Sequence, residues 1–408
     1  MTPVKDRAPT IRILGVDPAN KGACLMLIAA QRALGARFPG ARFAMDFTTT
    51  PVEARLRYGL WAAAPAASPR GVPMSRIAAL APAGLRRKLG LVTDDEIDVV
   101  LDVSGFAYGD FWGADKFARR VGRPGVAWRR GGKAVIFLPQ AWGPFTDPAF
   151  AAMVAAALDR ADLVFARDAA SLEHLRAAGA KDVRLAPDFT NLLDAAPTPQ
   201  TEAHRGCGVL IPNAKMLESR GEDAREGYLR FLEASCAALR AATGSARILI
   251  HEGAGDRRIA DELTGRMADP PPVMDVADPL EAKALLAGAG AVISSRFHGL
   301  VSALSSGTPS LACGWSHKYE ALMADYDRPR YAVRLDDEAE WRALLEDFAG
   351  AVRGGSGGGS AGGSAGGSAG GALRETVARA ARREKAKSAA MWDAVEAALR
   401  ARLDARRR

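Results

Sequence analysis

The chain has 408 residues, 48% hydrophobic and 25% charged, enough for two or three domains of ordinary size, and a formal charge of +8. Leu373 to Arg408 holds 11 Lys/Arg against 5 Asp/Glu, so the tail carries most of the excess and the rest is near neutral. That distribution excludes a broad nucleic-acid-binding face and leaves the basic tail as a surface for peripheral contact with anionic lipid or an acidic partner. No apolar run approaches the ~20 residues of a membrane-spanning helix, and no basic and apolar leader precedes Ile11, so the expected location is the cytoplasm. Cys24, Cys207, Cys236 and Cys313 lie far apart, without the close pairs of a zinc site or a disulfide framework, and read as reduced, mostly packing thiols.

In chain order, "TIRILGVDPANKGACLMLIAAQRAL" opens a β-loop-α unit: an apolar run, a loop with Pro18 and Gly22, then an amphipathic segment. Comparable units follow in "DVVLDVSGFAYGD", in "KAVIFLPQAWGPF" with an Ala-rich helix, in "DLVFARD" with "AASLEHLRAAG", and in "DVRLAPDF". The polar, Pro-containing "DAAPTPQTEAHRG" breaks the pattern and marks a domain boundary. Alternation resumes with "CGVLIPN", a helix around Tyr228 to Ala242, "ARILIHE", a helix near Ala260 to Met267, "LEAKALLAGAGAVISS" and "PSLACG". Strands alternating with helices imply parallel sheets covered on both faces. The expected class is therefore α/β: two Rossmann-like domains facing across a cleft, a GT-B-like plan, over residues 1–200 (acceptor side) and 206–349 (donor side). Residues 350–372 read as a flexible linker, since 354–372 contains Gly, Ser and Ala alone and cannot bury a core. In the remaining segment, 373–408, Trp392, Val395, Leu399 and Leu403 fall at helical spacing, so a docked C-terminal helix is expected.

The chemistry concentrates in "ISSRFHGLVSALSSGTP". A strand end there delivers Arg296, whose planar fork suits a carboxylate or phosphate, and His298, which exchanges a proton near neutral pH. Downstream, "CGWSHKYEALM" places His317 and Lys318 after the next strand, Lys318 being a second cation for the same crevice. Ligands of open α/β sheets sit outside the carboxyl ends of the strands. Asn213 and Lys215 in "IPNAKM" read equally as donor contacts or as a helix-start loop with a solvated lysine. His251, ending "ARILIHE", reads as a substrate contact or as structure, and Asp256 as a site residue or a helix cap. Asp168 and Ser171 read as mainly structural. Trp128 and the aromatics of "GDFWGADKFARR" offer faces for a sugar ring or for core.

Four stretches also carry a resemblance. "VISSRFHGLVSALSSGTPSLACGWSHKYEALMADY" resembles the C-terminal signature of the polysaccharide pyruvyl transferase family, and "FLPQAWGPFTDP", "FARDAASLEHLRAAGAKDVRLAPD" and "VLIPNAKM" resemble its earlier stretches, in order. In the first loop Asn20 and Gly22 stand where the family tends to have them, while Ala23 replaces a common acidic residue; "DVSGFAYGD" lacks a frequent doubled glycine. The resemblance implies transfer of the pyruvyl group of phosphoenolpyruvate to two hydroxyls of a sugar or lipid-linked glycan, giving a ketal and phosphate. His298 would then be the acid/base; Arg296, Lys318, Lys215 and Asn213 the donor-binding set; and Asn20 and His251 contacts of the acceptor or the cleft. It implies no metal and no cofactor beyond the phosphoenolpyruvate co-substrate. The other reading of the same residues is a GT-B-type glycosyltransferase with Arg296 and Lys318 on the diphosphate of a nucleotide sugar.

Overall fold

The structure, a computed structural model, describes residues 8–66, 72–218, 222–354 and 369–407. Its contacts divide the chain into two compact units: Met1–Pro18, Met26–Phe189 and Ser388–Arg408 form unit 1, and Ala19–Leu25 with Thr190–Lys387 form unit 2.

Unit 1 is built on nine parallel strands: β1 (Thr10–Leu14), β2 (Arg42–Asp46), β3 (Trp61–Ala63), β4 (Leu91–Val92), β5 (Val99–Asp102), β6 (Phe106–Tyr108), β7 (Ala134–Trp142), β8 (Leu163–Ala166) and β9 (Val183–Leu185). They run in the order β4-β3-β2-β1-β5-β7-β8-β9, with β6 paired to β7 beside the main path. The sequence explains the middle of the sheet: all nine residues of AVIFLPQAW in β7 are buried, as a strand covered on both faces requires. Pro139 lies within this run and has no N–H to give, and the β7–β8 register slips between Phe137 and Gln140. Asp168 accepts from the Ser171 N–H at 2.7 Å to cap the helix Ala169–Ala177, and Ser171 Oγ accepts from the Trp142 N–H at 2.9 Å, so both are structural.

Unit 2 holds β10 (Gly208–Ile211), β11 (Ala246–Ile250), β12 (Val273–Asp275), β13 (Ala291–Ser294), β14 (Ser310–Cys313) and β15 (Ala332–Val333). Their order is β12-β11-β10-β13-β14-β15, all parallel, which counted within the unit is the 3-2-1-4-5-6 order of a Rossmann sheet. The order reverses between β10 and β13, each four residues long and fully buried. The core on one side gathers Tyr228, Phe231, Leu232 and Leu239 of the helix Glu222–Thr243 with Trp341, Leu345 and Phe348 of the helix Glu338–Arg353. The expected α/β class with two Rossmann-like domains therefore holds.

The boundaries differ from the sequence reading. Residues 190–205 join unit 2, because Tyr326 Oη donates to Asn191 Oδ1 at 3.2 Å and Thr198 Oγ1 to Glu281 Oε1 at 3.3 Å. The helix expected near Ala260 begins at Gly253. The linker expected over 350–372 is shorter: the helix Glu338–Arg353 occupies its start, the final helix Ala369–Arg407 its end, and residues 355–368 lie outside the described residues. The C-terminal helix forms as expected but serves both units: Leu373, Val377, Ala380 and Ala381 enter the unit 2 core, while Trp392 packs edge-on against Phe189 at 5.6 Å in unit 1. Much of its basic charge is answered internally, by Arg383–Asp327, Lys387–Glu384, Lys385–Asp194 and Arg402–Asp162 pairs. All four cysteines are buried and free. Among the described residues no helix is long and apolar enough to cross a membrane.

Candidate functional site

The carboxyl ends of β10, β11 and β13 meet at the reversal point of the unit 2 sheet, where charged and titratable side chains collect. β13 ends at Ser294, and the chain turns at once into the helix Phe297–Leu304. Ser294 Oγ shapes this turn, accepting from the Arg296 N–H at 2.9 Å and donating to the Arg296 carbonyl at 3.0 Å. Gly299 lets the first turn lie flat on the sheet, since a Cβ there would stand 2.7 Å from Ile211 Cδ1. The turn aims Arg296 and His298 outward from the strand end.

Arg296 meets carboxylates there. Its Nε donates to Asp256 Oδ2 at 3.0 Å, a second nitrogen donates to Asp256 Oδ1, and a third to Glu252 Oε2. Asp256 is wholly buried and also accepts from the Glu252 N–H at 3.0 Å and the Ala214 N–H at 3.1 Å, so it ties β10, β11 and β13 together. Burial works against the Arg296 charge, but Asp256 and Glu252 outweigh it and raise the guanidinium pKa. The fork expected to be open for an anion is therefore engaged by two carboxylates 44 and 40 residues away in sequence.

Asn213 is likewise engaged. Its Nδ2 donates to the Ser295 carbonyl at 2.8 Å, its Oδ1 accepts from the Lys215 N–H at 3.0 Å, and its own N–H donates to Tyr228 Oη at 3.0 Å. This buried amide bridges β10 to β13 across the reversal point. Lys215 starts the short helix Lys215–Glu218 beside it. His251 is buried directly after β11, and burial first, then the charges of Arg296, Lys21 and His298, holds its pKa well below the ordinary histidine value. It stands in the cluster as a neutral imidazole.

His298 and Lys318 flank Phe297. The Phe297 and His298 rings lie edge to face at 5.6 Å, and Lys318 Nζ lies 5.7 Å from the Phe297 ring, 4.6 Å from Trp315 and 5.4 Å from Tyr319. The ammonium rests on aromatic faces. Beyond it, at the ends of β14 and β15, a cavity of about 340 Å³ is lined by Trp315, Ser316, Tyr319, Glu320, Arg334 and Asp336.

The residues 20–22 complete the cluster, although they are remote in sequence. Asn20 caps the helix Lys21–Arg37, its Oδ1 accepting from the Ala23 N–H at 3.0 Å, and its Nδ2 donates to Glu252 Oε1 at 2.7 Å. Lys21 Nζ donates to the Ile250 carbonyl at 3.1 Å. Gly22 lies against His298 so closely that a Cβ would come within 2.3 Å of Nδ1. These contacts explain why residues 19–25 belong to unit 2. Sequence reasoning named Asn20 and Gly22 but missed Lys21 and Glu252; the available signal was a lysine between two singled-out residues and an acidic residue directly after His251.

Comparison with known proteins follows this geometry. The family model for polysaccharide pyruvyl transferase matches residues 20–317, most of the chain, from the Asn20 cap to the residue before Lys318. No curated protein matches. Solved structures that resemble the chain include a UDP-GlcNAc 2-epimerase from Neisseria meningitidis, at 11% identity over 92% of this chain and 100% of that chain, with a TM-score of 0.47. Trehalose-6-phosphate synthase OtsA matches at 11% identity over 96% and 99%, with a TM-score of 0.49. MurG of Acinetobacter baumannii matches at 11% over 94% and 98%, with a TM-score of 0.45.

Proposed function

The chain belongs to the polysaccharide pyruvyl transferase family, and on that basis we propose that it moves the pyruvyl group of phosphoenolpyruvate onto two hydroxyls of one sugar, forming a ketal and releasing phosphate. The observation that carries the reading is the placement of His298, half-buried in the first turn after β13 at the sheet's reversal point, with Lys318 on the other side of Phe297. The reaction adds two sugar oxygens to C2 of the donor, breaks the bond from C2 to the phosphate oxygen, and delivers one hydroxyl proton to C3 and the other to the departing phosphate. A group that gives and takes protons near neutral pH, next to a cation for the phosphate or carboxylate, meets that demand.

Arg296 enters this reading with its charge matched. With Asp256 and Glu252 against Arg296 and Lys21, the cluster is formally neutral before the histidines are counted, so Arg296 orients a donor through its remaining N–H groups more than it attracts one. His251, held neutral, offers a hydrogen bond without adding charge. Lys215 and Asn213 hold the β10 side of the reversal point, and Asn20 holds Glu252.

A second reading rests on the cavity beside Lys318. A glycosyltransferase using a nucleotide sugar would set the diphosphate on Lys318 and a base or sugar against Trp315 and Tyr319. Calorimetric titration with phosphoenolpyruvate and, separately, with UDP separates the two. Binding of phosphoenolpyruvate followed by acceptor-dependent phosphate release across a panel of glycans is the expected result. UDP binding with no response to phosphoenolpyruvate overturns it in favour of the second reading.

A further inference from the structure

We propose that Lys21 is a donor-binding residue of the unit 2 site, its ammonium holding an anionic group of phosphoenolpyruvate beside His298; this rests on the pyruvyl transfer reading. An ammonium has three N–H donors, and Lys21 directs one to the Ile250 carbonyl at the carboxyl end of β11. The side chain is half-buried, yet it makes no ion pair among the described residues. Buried charges are ordinarily paired, because removing them from water is costly. Three carboxylates are near enough to act on Lys21, and each is committed to an arginine: Asp256 and Glu252 to Arg296, and Asp275 to Arg257 at 2.6 Å. Lys21 is thus a cation held at a strand end with donors in hand and the local counter-ions taken.

Its neighbours place it with the reacting groups. Asn20 before it is fixed on Glu252, and Gly22 after it lies against the His298 ring. The residue between them cannot leave the cluster without breaking one of these contacts. Charge supplies the second line of argument. The donor is a carboxylate and a phosphate on three carbons, and Arg296 reaches it already matched by two carboxylates. Lys318 supplies one cation from the β14 side, and Lys21 supplies the other from the β11 side.

The groups that face Lys21 are Asp275, Asp256, Glu252, Arg296 and His251. Burial, with Arg296, lowers its pKa in the unliganded protein against the pull of the carboxylates. An arriving anion reverses that balance and raises the pKa, so binding takes up a proton on the alkaline side of neutrality and weakens as pH rises through the lowered value.

Calorimetric titration of the full chain with phosphoenolpyruvate tests this, using buffers of contrasting ionisation enthalpy from pH 7 to 9. Lys21→Met keeps the length and apolar stem but removes the charge; Kd should rise about 10- to 100-fold, as for one lost charge-assisted contact. Lys21→Arg, which keeps the charge, should recover part of that loss. Proton uptake seen with the parent protein should vanish in Lys21→Met. A Lys21→Met protein that is folded by circular dichroism and binds phosphoenolpyruvate with the parental Kd overturns the inference and leaves the pyruvyl transfer reading standing. Absence of proton uptake by the parent across the pH range also overturns it, whatever the fate of the variant. A parent protein that ignores phosphoenolpyruvate and binds UDP overturns both.

Discussion

The two units carry the same device at the centre of their sheets, a reversal of strand order, and fill it with different chemistry. In unit 1 the reversal lies between β1 and β5. Gly15, at φ +88°, brings the loop after β1 so close to the loop after β5 that a Cβ would stand 2.1 Å from Ser104 Oγ. Below it, buried Asp102 accepts from Tyr108 Oη at 2.5 Å, from the Ser104 N–H at 2.9 Å and from Gln140 Nε2 at 3.3 Å. Every donor points inward at one carboxylate. In unit 2 the buried Asp256 plays the corresponding part, but the groups around it, Arg296, Lys21, His298 and Glu252, are half-buried and face the strand ends. A shared topology fixes where a site can form; the ionisable groups left accessible there decide whether one does.

The sharpest test of this contrast is His298→Ala. Loss of the acid/base should lower turnover about 10²- to 10⁴-fold with donor affinity largely kept, as read from single-turnover kinetics on a folded variant. Turnover at the parental rate would return His298 to a binding or structural role. Arg296→Ala should show that the unit 2 network is also structural. It strands the buried Asp256 carboxylate, and breaking a buried pair costs about 3–5 kcal/mol, measurable as a fall in the urea midpoint. The double variant Arg296→Ala with Asp256→Asn should recover part of that loss, and failure to recover any would show that the two act independently.

In unit 1, Tyr108→Phe removes one donor to a buried carboxylate and should destabilise by about 1.5–3 kcal/mol without changing phosphoenolpyruvate affinity. A changed Kd would bring the unit 1 network into the site. The smallest effect expected is acid sensitivity from His251. Its folded pKa is depressed, so the unfolded chain binds the proton more readily. The stability it contributes is complete above the unfolded value of about 6.5 and declines below it, by at most about 1.4 kcal/mol per pH unit. His251→Gln should flatten that part of the stability profile between pH 6.5 and 5, checked by urea titration at each pH.

The unit 2 strands were legible because short apolar runs alternate with helical spacing, and Arg296 and His298 were legible because they follow such a run directly. Short strands were not: Leu91–Val92, Val273–Asp275 and Ala332–Val333 hold two or three residues each, too few to show a period. The engagement of Arg296 could not be read either. An arginine's residue type gives its capacity for a bidentate pair, while the partner, Asp256, is brought to it by a helix that begins after another strand. Lys21 illustrates the same limit more strongly, since its neighbours in space lie more than two hundred residues away in the chain. Asn213 was a polar residue after a strand by any local criterion; its three hydrogen bonds across the reversal point come from the fold.

The division of the final helix bears on how the protein comes into being. Trp392 and its neighbours Val395 and Leu399 are buried, and the segment from Ser388 onward belongs with strands made near the start of the chain. Between Phe189 and Ser388 lie the 198 residues of 190–387, all assigned to unit 2. At a synthesis rate of roughly 5–20 residues per second, ribosomes deliver that length in on the order of 10–40 s. Throughout that interval Phe189 waits without Trp392, while unit 2 already has its six strands in hand. The nascent chain thus closes its earliest-made sheet last, and the helix that closes it is the part through which a truncated product would declare itself unfinished.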